Sequence, residues 1–256
     1  MIDMHSHIIP GIDDGSKNIN MTLDMLREAV ENGTKKIVAT PHYCRGFAEV
    51  HYDEVKKYVE KLNLLVSKEN IDIEVICGQE VYYSNRIIDD YNEGIIGTIN
   101  DSRYMLIETS MGEFDDDMID VLYELQIIGV NIILAHPERY KPIIDDPSII
   151  NTFIKEGYLF QLNVGSITGD FGNDVKRTAE ILLENNIYSF IGSDAHNLVS
   201  RTTDMSEGIS ILKSEYEQNI DKFLDNSNNV IENKAVSFDG ELIRETKRKR
   251  KFRLFW

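Results

Sequence analysis

Residues 20–40 read NMTLDMLREAVENGTKKIVAT, a stretch in which a helix, a stop signal and a strand follow one another. Leu23 and Val30 mark one apolar helix face, and Gly33 supplies a left-handed stop. The β-branched and apolar run 36–40 then predicts a buried strand. The same alternation recurs along the chain, which indicates parallel strands joined by helical crossovers.

Seven strands are predicted in this way, at residues 2–4, 36–40, 71–77, 104–107, 130–134, 158–162 and 189–191. No repeat, low-complexity linker or composition break divides them. The pattern favours a single α/β domain over residues 1–240, an incomplete version of the eight-stranded TIM-like barrel, followed by a basic tail at 241–256. An open, doubly wound sheet is the competing arrangement.

One set of histidines and carboxylates falls just past the carboxyl ends of these strands. Its members are His5 and His7 after the first strand, His42 after the second, Glu80 after the third, Glu108 after the fourth, His136 after the fifth, and Asp194 with His196 after the last. The carboxyl ends of parallel barrel strands share one face, so we expect these side chains to converge. A single histidine is more often an exposed or hydrogen-bonded residue, and only the joint placement favours a metal site.

Two spacings support metal binding. His5-Ser-His7 puts two imidazoles on the same side of an extended segment, and Asp194-Ala-His196 repeats that geometry. Imidazole and carboxylate without thiolate suit manganese, iron or zinc. If the three carboxylates of the set and Asp14 converge, each pair about 4 Å apart repels by roughly 4 kcal/mol at an effective dielectric constant of about 20, and bound cations relieve this. The alternative is that some carboxylates are protonated or face solvent, above all Asp14, because Asp13-Asp14-Gly15 also fits a turn.

Composition narrows the function classes. Cys44 and Cys77 are too few for a disulfide framework, and neither begins the Cys-x5-Arg loop of thiol-dependent phosphatases, so we interpret both as inert thiols. No apolar run approaches the ~20 residues that span a bilayer. His5 stands so close to Met1 that cleavage of a presequence would destroy the site, and we expect a cytoplasmic protein.

The charge is strongly asymmetric. The formal net charge is −17, and six of the 27 basic residues lie between Lys247 and Arg253, which leaves −23 (21 minus 44) on the rest. So acidic a body should repel nucleic acid, and we expect no such partner. The basic run ends in Leu-Phe-Trp256, a composition that fits either peripheral contact with an anionic membrane, near the inner face of the plasma membrane, or a solvated terminus.

The motifs together resemble a known superfamily. They are Met1-Ile-Asp-Met-His-Ser-His7, Pro10-Gly-Ile-Asp-Asp-Gly15, Thr40-Pro-His42, Gly78-Gln-Glu80, Ala135-His-Pro-Glu-Arg139 and Gly192-Ser-Asp-Ala-His196. In combination they resemble the polymerase-and-histidinol-phosphatase (PHP) superfamily. Asn100-Asp-Ser-Arg-Tyr104 and the segment from Ser193 to Arg201 are similar to the tyrosine-protein phosphatases encoded with bacterial capsule and exopolysaccharide genes.

The resemblance, which runs from Met1 to about Asn233, implies a distorted seven-stranded barrel with three divalent metal ions, usually manganese. The implied ligands are His5, His7, Asp14, His42, Glu80, Glu108, His136, Asp194 and His196, with Glu80 bridging two metals. It also implies a substrate, the phosphorylated tyrosine-rich tail of a membrane-associated bacterial tyrosine kinase that controls polysaccharide synthesis.

The expected reaction is hydrolysis of a phosphate monoester. Water activated by the cations would attack phosphorus, with no covalent phosphoenzyme. Arg139 and Arg201 follow ligand-bearing strands and are predicted to clamp the phosphate, the alternative being salt bridges to nearby acids. Tyr43, Tyr82 and Tyr83 flank ligands and could contact an aromatic substrate or pack at the barrel rim.

Three other functions remain open at this point. The same metal chemistry would serve hydrolysis of histidinol phosphate or of nucleotides. A catalytically silent metal-binding scaffold would keep the ligands but would not need Arg139 or Arg201. The oligomeric state is not indicated by the sequence.

Overall fold

The structure, a computed structural model, describes residues 1–244. Its strands are β1 (Ile2–Ser6), β2 (Lys36–Ala39), β3 (His42–Cys44), β4 (Ala48–Glu49), β5 (Glu74–Cys77), β6 (Glu80–Tyr82), β7 (Tyr104–Glu108), β8 (Asn131–Ala135), β9 (Leu159–Asn163) and β10 (Phe190–Gly192). Its α-helices are α1 (Ile19–Glu31), α2 (Tyr52–Lys68), α3 (Ile87–Asn92), α4 (Met118–Ile127), α5 (Lys141–Asp145), α6 (Ile150–Lys155), α7 (Val164–Thr168), α8 (Asn173–Glu184), α9 (Ser206–Glu215) and α10 (Gln218–Ile231).

The strands pair in parallel throughout residues 1–244, except for the short hairpin of β3 with β4. One sheet has the order β1-β2-β5, and the other has the order β10-β9-β8-β7-β6-β3-β4. Thr40-Pro41 separates β2 from β3, and Gly78-Gln79 separates β5 from β6. Two of the predicted seven strands are therefore each followed, two residues later, by a short strand that was not predicted and that belongs to the other sheet.

The strand order decides between the two predicted architectures. From β6 to β10 each strand lies beside the next one in the chain, whereas a doubly wound sheet reverses its order at a switch point. β1 is joined to the segment that follows β10 by one isolated parallel bridge, between Ser6 and Ala195, and not by a ladder. The α/β architecture with barrel-like parallel strands is confirmed, and the doubly wound alternative is wrong.

Apolar side chains from several strands meet inside the sheets. Met4, Leu106, Ile133 and Phe190, from β1, β7, β8 and β10, are at most 1% exposed and belong to one cluster. Such layers fill a barrel from within, while the helices cover its outer face. The predicted stop after α1 is confirmed, because Gly33 has a φ of +88°. The packed interior leaves the carboxyl ends of the strands as the rim that carries polar side chains.

The region after α10 lies against the body as far as it is described. Asn151 holds Ile243 by two hydrogen bonds, from its Nδ2 to the carbonyl oxygen at 2.8 Å and from the Ile243 backbone N–H to its Oδ1 at 2.9 Å. The basic run from Lys247 falls outside the described residues. Within residues 1–244, none of the helices combines the length and the apolar character that crossing a membrane requires.

Candidate metal centre

His5 and His7 bring two ring nitrogens together at the end of β1. Both residues are fully buried, and their Nε2 atoms are 3.1 Å apart. His7 Nδ1 lies 2.8 Å from Asp13 Oδ2. Since a carboxylate can only accept, Nδ1 is the donor, and the lone pair of the neutral His7 ring is on Nε2. Burial alone would lower the pKa of His7, but the bond to Asp13 raises it above its usual value. The alternating geometry predicted for this segment thus directs two imidazoles at one point.

Glu80, which opens β6, lies at the centre of the cluster. Its Oε2 is 3.1 Å from His5 Nε2 and 3.2 Å from His7 Nε2. His42 Nδ1 is 3.0 Å away on another side. None of the three contacts has hydrogen-bond geometry, and this buried oxygen has no hydrogen-bond partner in the described chain. Three nitrogens surround an oxygen at short range without hydrogen bonds, an arrangement whose donor atoms fit a shared cation.

Glu108 and His136 lie on the other side of Glu80. His136 Nε2 is 3.0 Å from Glu80 Oε1 and 3.5 Å from Glu108 Oε1. Burial, reinforced by the Glu80 carboxylate, raises the pKa of Glu108 to about 8, and burial with the charge of Arg139 lowers the pKa of His136 to about 4. A bound cation would lower the pKa of Glu108 again, because it stabilises the carboxylate. The lowered pKa of His136 keeps its imidazole neutral, which is the form that can bind a cation.

Asp14, His42 and His196 form the more open edge. The Asp14 carboxylate, 50% exposed, is 3.6 Å from His42 Nε2 and 3.4 Å from His196 Nε2. His196 contacts its neighbour Asp194 through Nδ1 and the backbone carbonyl oxygen at 2.8 Å, so Nδ1 carries the proton. Its Nε2 is buried without a hydrogen-bond partner. The turn at 13–15 therefore does not direct Asp14 into bulk solvent, away from the cluster.

The predicted ligands form three groups of atoms that could each hold a cation. They are His7 with Asp14, His42 and His196; His5 with His7 and Glu80; and His42 with Glu80 and Glu108, and the ligand atoms within each group lie within 4.8 Å of one another. His136 and Asp194 adjoin these groups, so all nine predicted residues meet at one site. The imidazole and carboxylate donors, the unpartnered Glu80 oxygen and the facing Nε2 atoms fit divalent metal ions.

Arg139 and Arg201 both reach Asp194. Arg139 Nη1 is 2.8 Å from Asp194 Oδ2, and Arg201 Nη2 is 2.5 Å from Asp194 Oδ1. Both guanidinium groups lie over the Phe171 ring, with their central carbons 4.7 and 6.0 Å from its centroid. Salt bridges to nearby acids, the alternative to phosphate binding by these arginines, are therefore present. The acid in both of them is Asp194, which is itself a predicted metal ligand. Positive charge therefore borders the cluster on the Asp194 side.

Two of the predicted ligands have left-handed backbone conformations. His136 has a φ of 31° and Asp194 a φ of 53°. Such values are uncommon outside glycine, although Asp, Asn and His adopt them more readily than other residues. Strain of this kind concentrates at functional sites.

Sequence reasoning missed several residues of the site. Asp13 accepts from His7 and from the backbone N–H of His42, although it was considered only as part of a turn. Gln161 and Asn163, in β9, contact His5 and Asp194 respectively. Neither carries a spacing signal, although Asn163 does end a strand on the ligand-bearing rim.

The aromatic residue at the site mouth was also missed. Tyr43 and Tyr83 are 5% and 4% exposed, and both belong to the apolar core. Phe47, in the loop between β3 and β4, is 67% exposed, and its ring centroid lies 6.5 Å from that of His42. Phe47 therefore places an apolar ring on the solvent side of His42.

The fold and this cluster define a class: α/β proteins with barrel-like parallel strands and a candidate metal site at the carboxyl ends of those strands. A family model described as "Capsular polysaccharide synthesis, CpsB/CapC" matches residues 1–232, and the chain belongs to this CpsB/CapC family. The resemblance found in the sequence motifs is thereby confirmed.

Relatives cover nearly the whole chain. The tyrosine-protein phosphatase YwqE of Bacillus subtilis is 33% identical over 216 residues, 84% of this chain and 85% of the relative. The tyrosine-protein phosphatase CpsB of Streptococcus agalactiae is 28% identical over 243 residues, 92% and 100% of the two chains.

Solved structures extend the comparison. One comes from work on YwqE of B. subtilis and CpsB of Streptococcus pneumoniae, described as unique metal-dependent tyrosine phosphatases. It superposes on this chain with a TM-score of 0.89 at 30% identity, and the match covers 97% of this chain and 100% of the solved chain. A histidinol phosphate phosphatase from Lactococcus lactis shares the fold, with a TM-score of 0.52 at 14% identity over 84% and 92% of the two chains.

Proposed function

We propose that this protein is a metal-dependent protein-tyrosine phosphatase that hydrolyses phosphotyrosine on a bacterial tyrosine kinase regulating capsule or exopolysaccharide synthesis. Membership of the CpsB/CapC family and the names of the relatives at 28–33% identity support the reaction class. The observation that carries the proposal is the Glu80 Oε2 atom, buried among three imidazole nitrogens at 3.0–3.2 Å without a hydrogen bond.

The residues proposed to hold the cations are the nine predicted ligands. Three divalent ions correspond to the three groups of ligand atoms, and manganese is the proposed metal, with iron or zinc compatible with the same donors. Divalent cations at such a site activate water as a nucleophile near neutral pH and neutralise phosphoryl oxygens. The protein's own part is to fix the imidazole lone pairs and to hold the carboxylates close together around the cations.

Arg139 and Arg201 are proposed to bind the phosphoryl group. In the chain without substrate, both guanidinium groups pair with Asp194, and they are 19% and 28% exposed, so they border the accessible side of the cluster. Guanidinium groups donate paired hydrogen bonds that match phosphate oxygens. A silent scaffold would not require two arginines at this position, and their placement favours an enzyme.

Phe47 is proposed to contact the tyrosyl ring. The ligands nearest to solvent are Asp14, His42 and Glu108, and Phe47 lies beside His42 at this opening. A phosphotyrosine side chain is long enough to carry its phosphate to a recessed cluster while its ring is still at the mouth. An exposed phenyl ring there offers an edge or a face to an aromatic leaving group.

The kinase substrate suggests where the enzyme works. A membrane-associated kinase would be met at the inner face of the plasma membrane, and the basic run from Lys247 to Arg253 would be attracted to anionic lipid by about 1 kcal/mol per basic residue. Sedimentation with anionic liposomes of the full chain and of a chain lacking the last ten residues tests this part. Equal binding by both would remove the tail from the proposal.

A comparison of substrates tests the function. The manganese-loaded protein is assayed on a phosphotyrosine peptide, a phosphoserine peptide, histidinol phosphate and an ester of thymidine monophosphate. The expected result is the highest kcat/KM on the phosphotyrosine peptide. Preference for histidinol phosphate or for the nucleotide ester would establish the corresponding alternative, and hydrolysis of none of them would indicate a scaffold.

A further inference from the structure

A chain of buried amides connects two of the proposed ligands from within the core. Gln161, in β9, has no exposed surface, and its Oε1 lies 2.8 Å from His5 Nδ1. Its Nε2 donates to the backbone carbonyl of Leu162 at 2.6 Å and to Asn163 Oδ1 at 3.0 Å. Asn163 in turn donates from Nδ2 to Asp194 Oδ2 at 2.6 Å. We call Gln161 and Asn163 the amide relay.

The direction of every hydrogen bond in the amide relay follows from the Asp194 carboxylate at its end. The Asp194 carboxylate can only accept, so Asn163 presents its NH2 group to it and its oxygen to Gln161. Gln161 must then present NH2 to Asn163, which leaves its oxygen for His5. The carbonyl of Leu162, also an acceptor, requires the same orientation of the Gln161 amide. His5 is therefore the donor in its bond to Gln161, through Nδ1–H.

The bond to Gln161 decides which nitrogen of His5 is free to bind a metal. With the proton on Nδ1, the Nε2 lone pair faces the cluster, 3.1 Å from both Glu80 Oε2 and His7 Nε2. The other tautomer would place a proton on Nε2 and leave no lone pair there for a cation. A hydrogen-bond partner on the far nitrogen fixes the tautomer and orientation of a ligating histidine.

The amide relay is anchored in the core. The backbone N–H of Asn163 donates to Glu138 Oε1 at 3.0 Å, and the same buried carboxylate accepts from Ser166 Oγ at 2.7 Å and Tyr188 OH at 3.0 Å. Gly192 allows the close approach of β10, because a Cβ atom there would lie 2.9 Å from Gln161 Nε2 and 2.5 Å from His5 Cβ. These contacts hold the amides in place without using the metal ligands themselves.

We propose that Gln161 is a positioning residue that holds His5 in the metal-binding tautomer and, through Asn163, couples its orientation to that of Asp194. This proposal rests on the metal site of the proposed function. The amide relay does not touch substrate, and its effect is on how tightly the cluster holds its ions. Loss of the acceptor on His5 should weaken metal binding before it changes the chemistry.

Three variants separate positioning from general packing. Gln161→Met keeps the length of the side chain and removes the acceptor, so zinc and manganese affinities, measured by competition with a chelator, should fall by about 10- to 100-fold. Gln161→Glu keeps an acceptor for His5 Nδ1 and loses the bonds from Nε2, so affinity should remain within several-fold of wild type although the fold is less stable. Gln79→Met is the matched control, because the Gln79 amide is almost as buried and, among residues 1–244, bonds to the backbone of Val50 and Gly97 and to no proposed ligand.

The outcomes are distinct. Three results would each overturn the proposal in favour of a packing role. They are an unchanged metal affinity in Gln161→Met, the same loss of affinity in Gln161→Glu as in Gln161→Met, and the same loss in Gln79→Met as in Gln161→Met. A second measurement needs no variant: 15N NMR of the zinc-loaded wild type should find His5 protonated on Nδ1 and metal-bound through Nε2, and the reverse assignment would also overturn it. Failure of the wild type to bind any divalent ion would instead refute the proposed function.

Discussion

His42 and Glu80 are register partners of the parallel strands β3 and β6, and His42 Nδ1 lies 3.0 Å from Glu80 Oε2. The distance between these two side chains is thus set by the hydrogen-bonded ladder of the sheet and not by a mobile loop. Sites built on rigid elements maintain their geometry more accurately than sites built on loops. We therefore expect the cluster to persist as a preformed site when cations are removed.

Metal removal should abolish activity without unfolding the protein. Dialysis against a chelator removes the charge that holds the carboxylates together, and refilling with manganese should restore hydrolysis of an aryl phosphate. Ions present at about 100 times their Kd should stabilise the fold by about 2.7 kcal/mol, so the melting temperature should rise on reloading. Calorimetry and an aryl phosphatase assay measure both effects, and full activity in the metal-free protein would contradict the proposed mechanism.

Replacement of either arginine should impair catalysis and spare metal content. Arg139→Ala or Arg201→Ala removes charge-assisted hydrogen bonds worth about 1.5–3 kcal/mol each, which corresponds to a loss of about 10- to 150-fold in kcat/KM. Steady-state kinetics and elemental analysis are the measurements. Arg177→Ala, at an exposed position of α8, is the control and should leave both unchanged. Undiminished activity in an Arg139 or Arg201 variant would exclude that residue from phosphate binding.

Phe47→Ala should change substrate preference more than turnover. An aromatic contact is worth about 0.5–1.5 kcal/mol, so KM for a phosphotyrosine peptide should rise by about 2- to 10-fold. An alkyl phosphate, which has no ring to contact, should be hydrolysed as by the wild type. Val199→Ala, at a position that is 90% exposed, is a suitable control. Equal effects of Phe47→Ala on aryl and alkyl substrates would argue against ring contact.

The two cysteines should be dispensable. Burial raises the pKa of Cys77 to about 12, so at pH 8 almost none of it is thiolate, the nucleophilic form. A Cys44→Ser and Cys77→Ala double variant should keep kcat/KM within about twofold of wild type, as expected for changes of about 0.5 kcal/mol away from the reacting groups. Cys77 should also fail to react with a thiol reagent until the protein unfolds. Loss of catalysis in the double variant with intact metal content would point to thiol chemistry.

The strands and the residues at their ends could be predicted because each leaves a local pattern. The β-branched runs, such as 130–134, stand out from their surroundings, and residues that follow them must share one rim of a parallel barrel. His136 and Glu80 could therefore be grouped from the sequence. The short strands β3 and β6, which follow Thr40-Pro41 and Gly78-Gln79, were not predicted, since a strand of 3 residues leaves too short a pattern to stand out from its surroundings.

The residues that orient the ligands could not be predicted. Gln161 alternates with apolar neighbours in β9 and has no spacing relation to His5, which lies 156 positions earlier. Asp13 and Asp14 are adjacent carboxylates in one turn, and only the folded path of that turn determines that Asp13 orients His7 while Asp14 faces His42 and His196. Such roles depend on three-dimensional contacts between distant segments.

The left-handed backbone at Asp194 restricts which substitutions can yield an inactive variant that still binds its substrate. Alanine at position 194 would remove the carboxylate and also impose a conformation that a Cβ-bearing apolar residue disfavours, so the loop leading to His196 would shift as well. Asparagine tolerates the same backbone and nearly the same shape, so Asp194→Asn removes the charge and one of the two acceptor oxygens but keeps the backbone conformation. It is therefore the variant of choice for trapping a phosphorylated partner on an otherwise native surface.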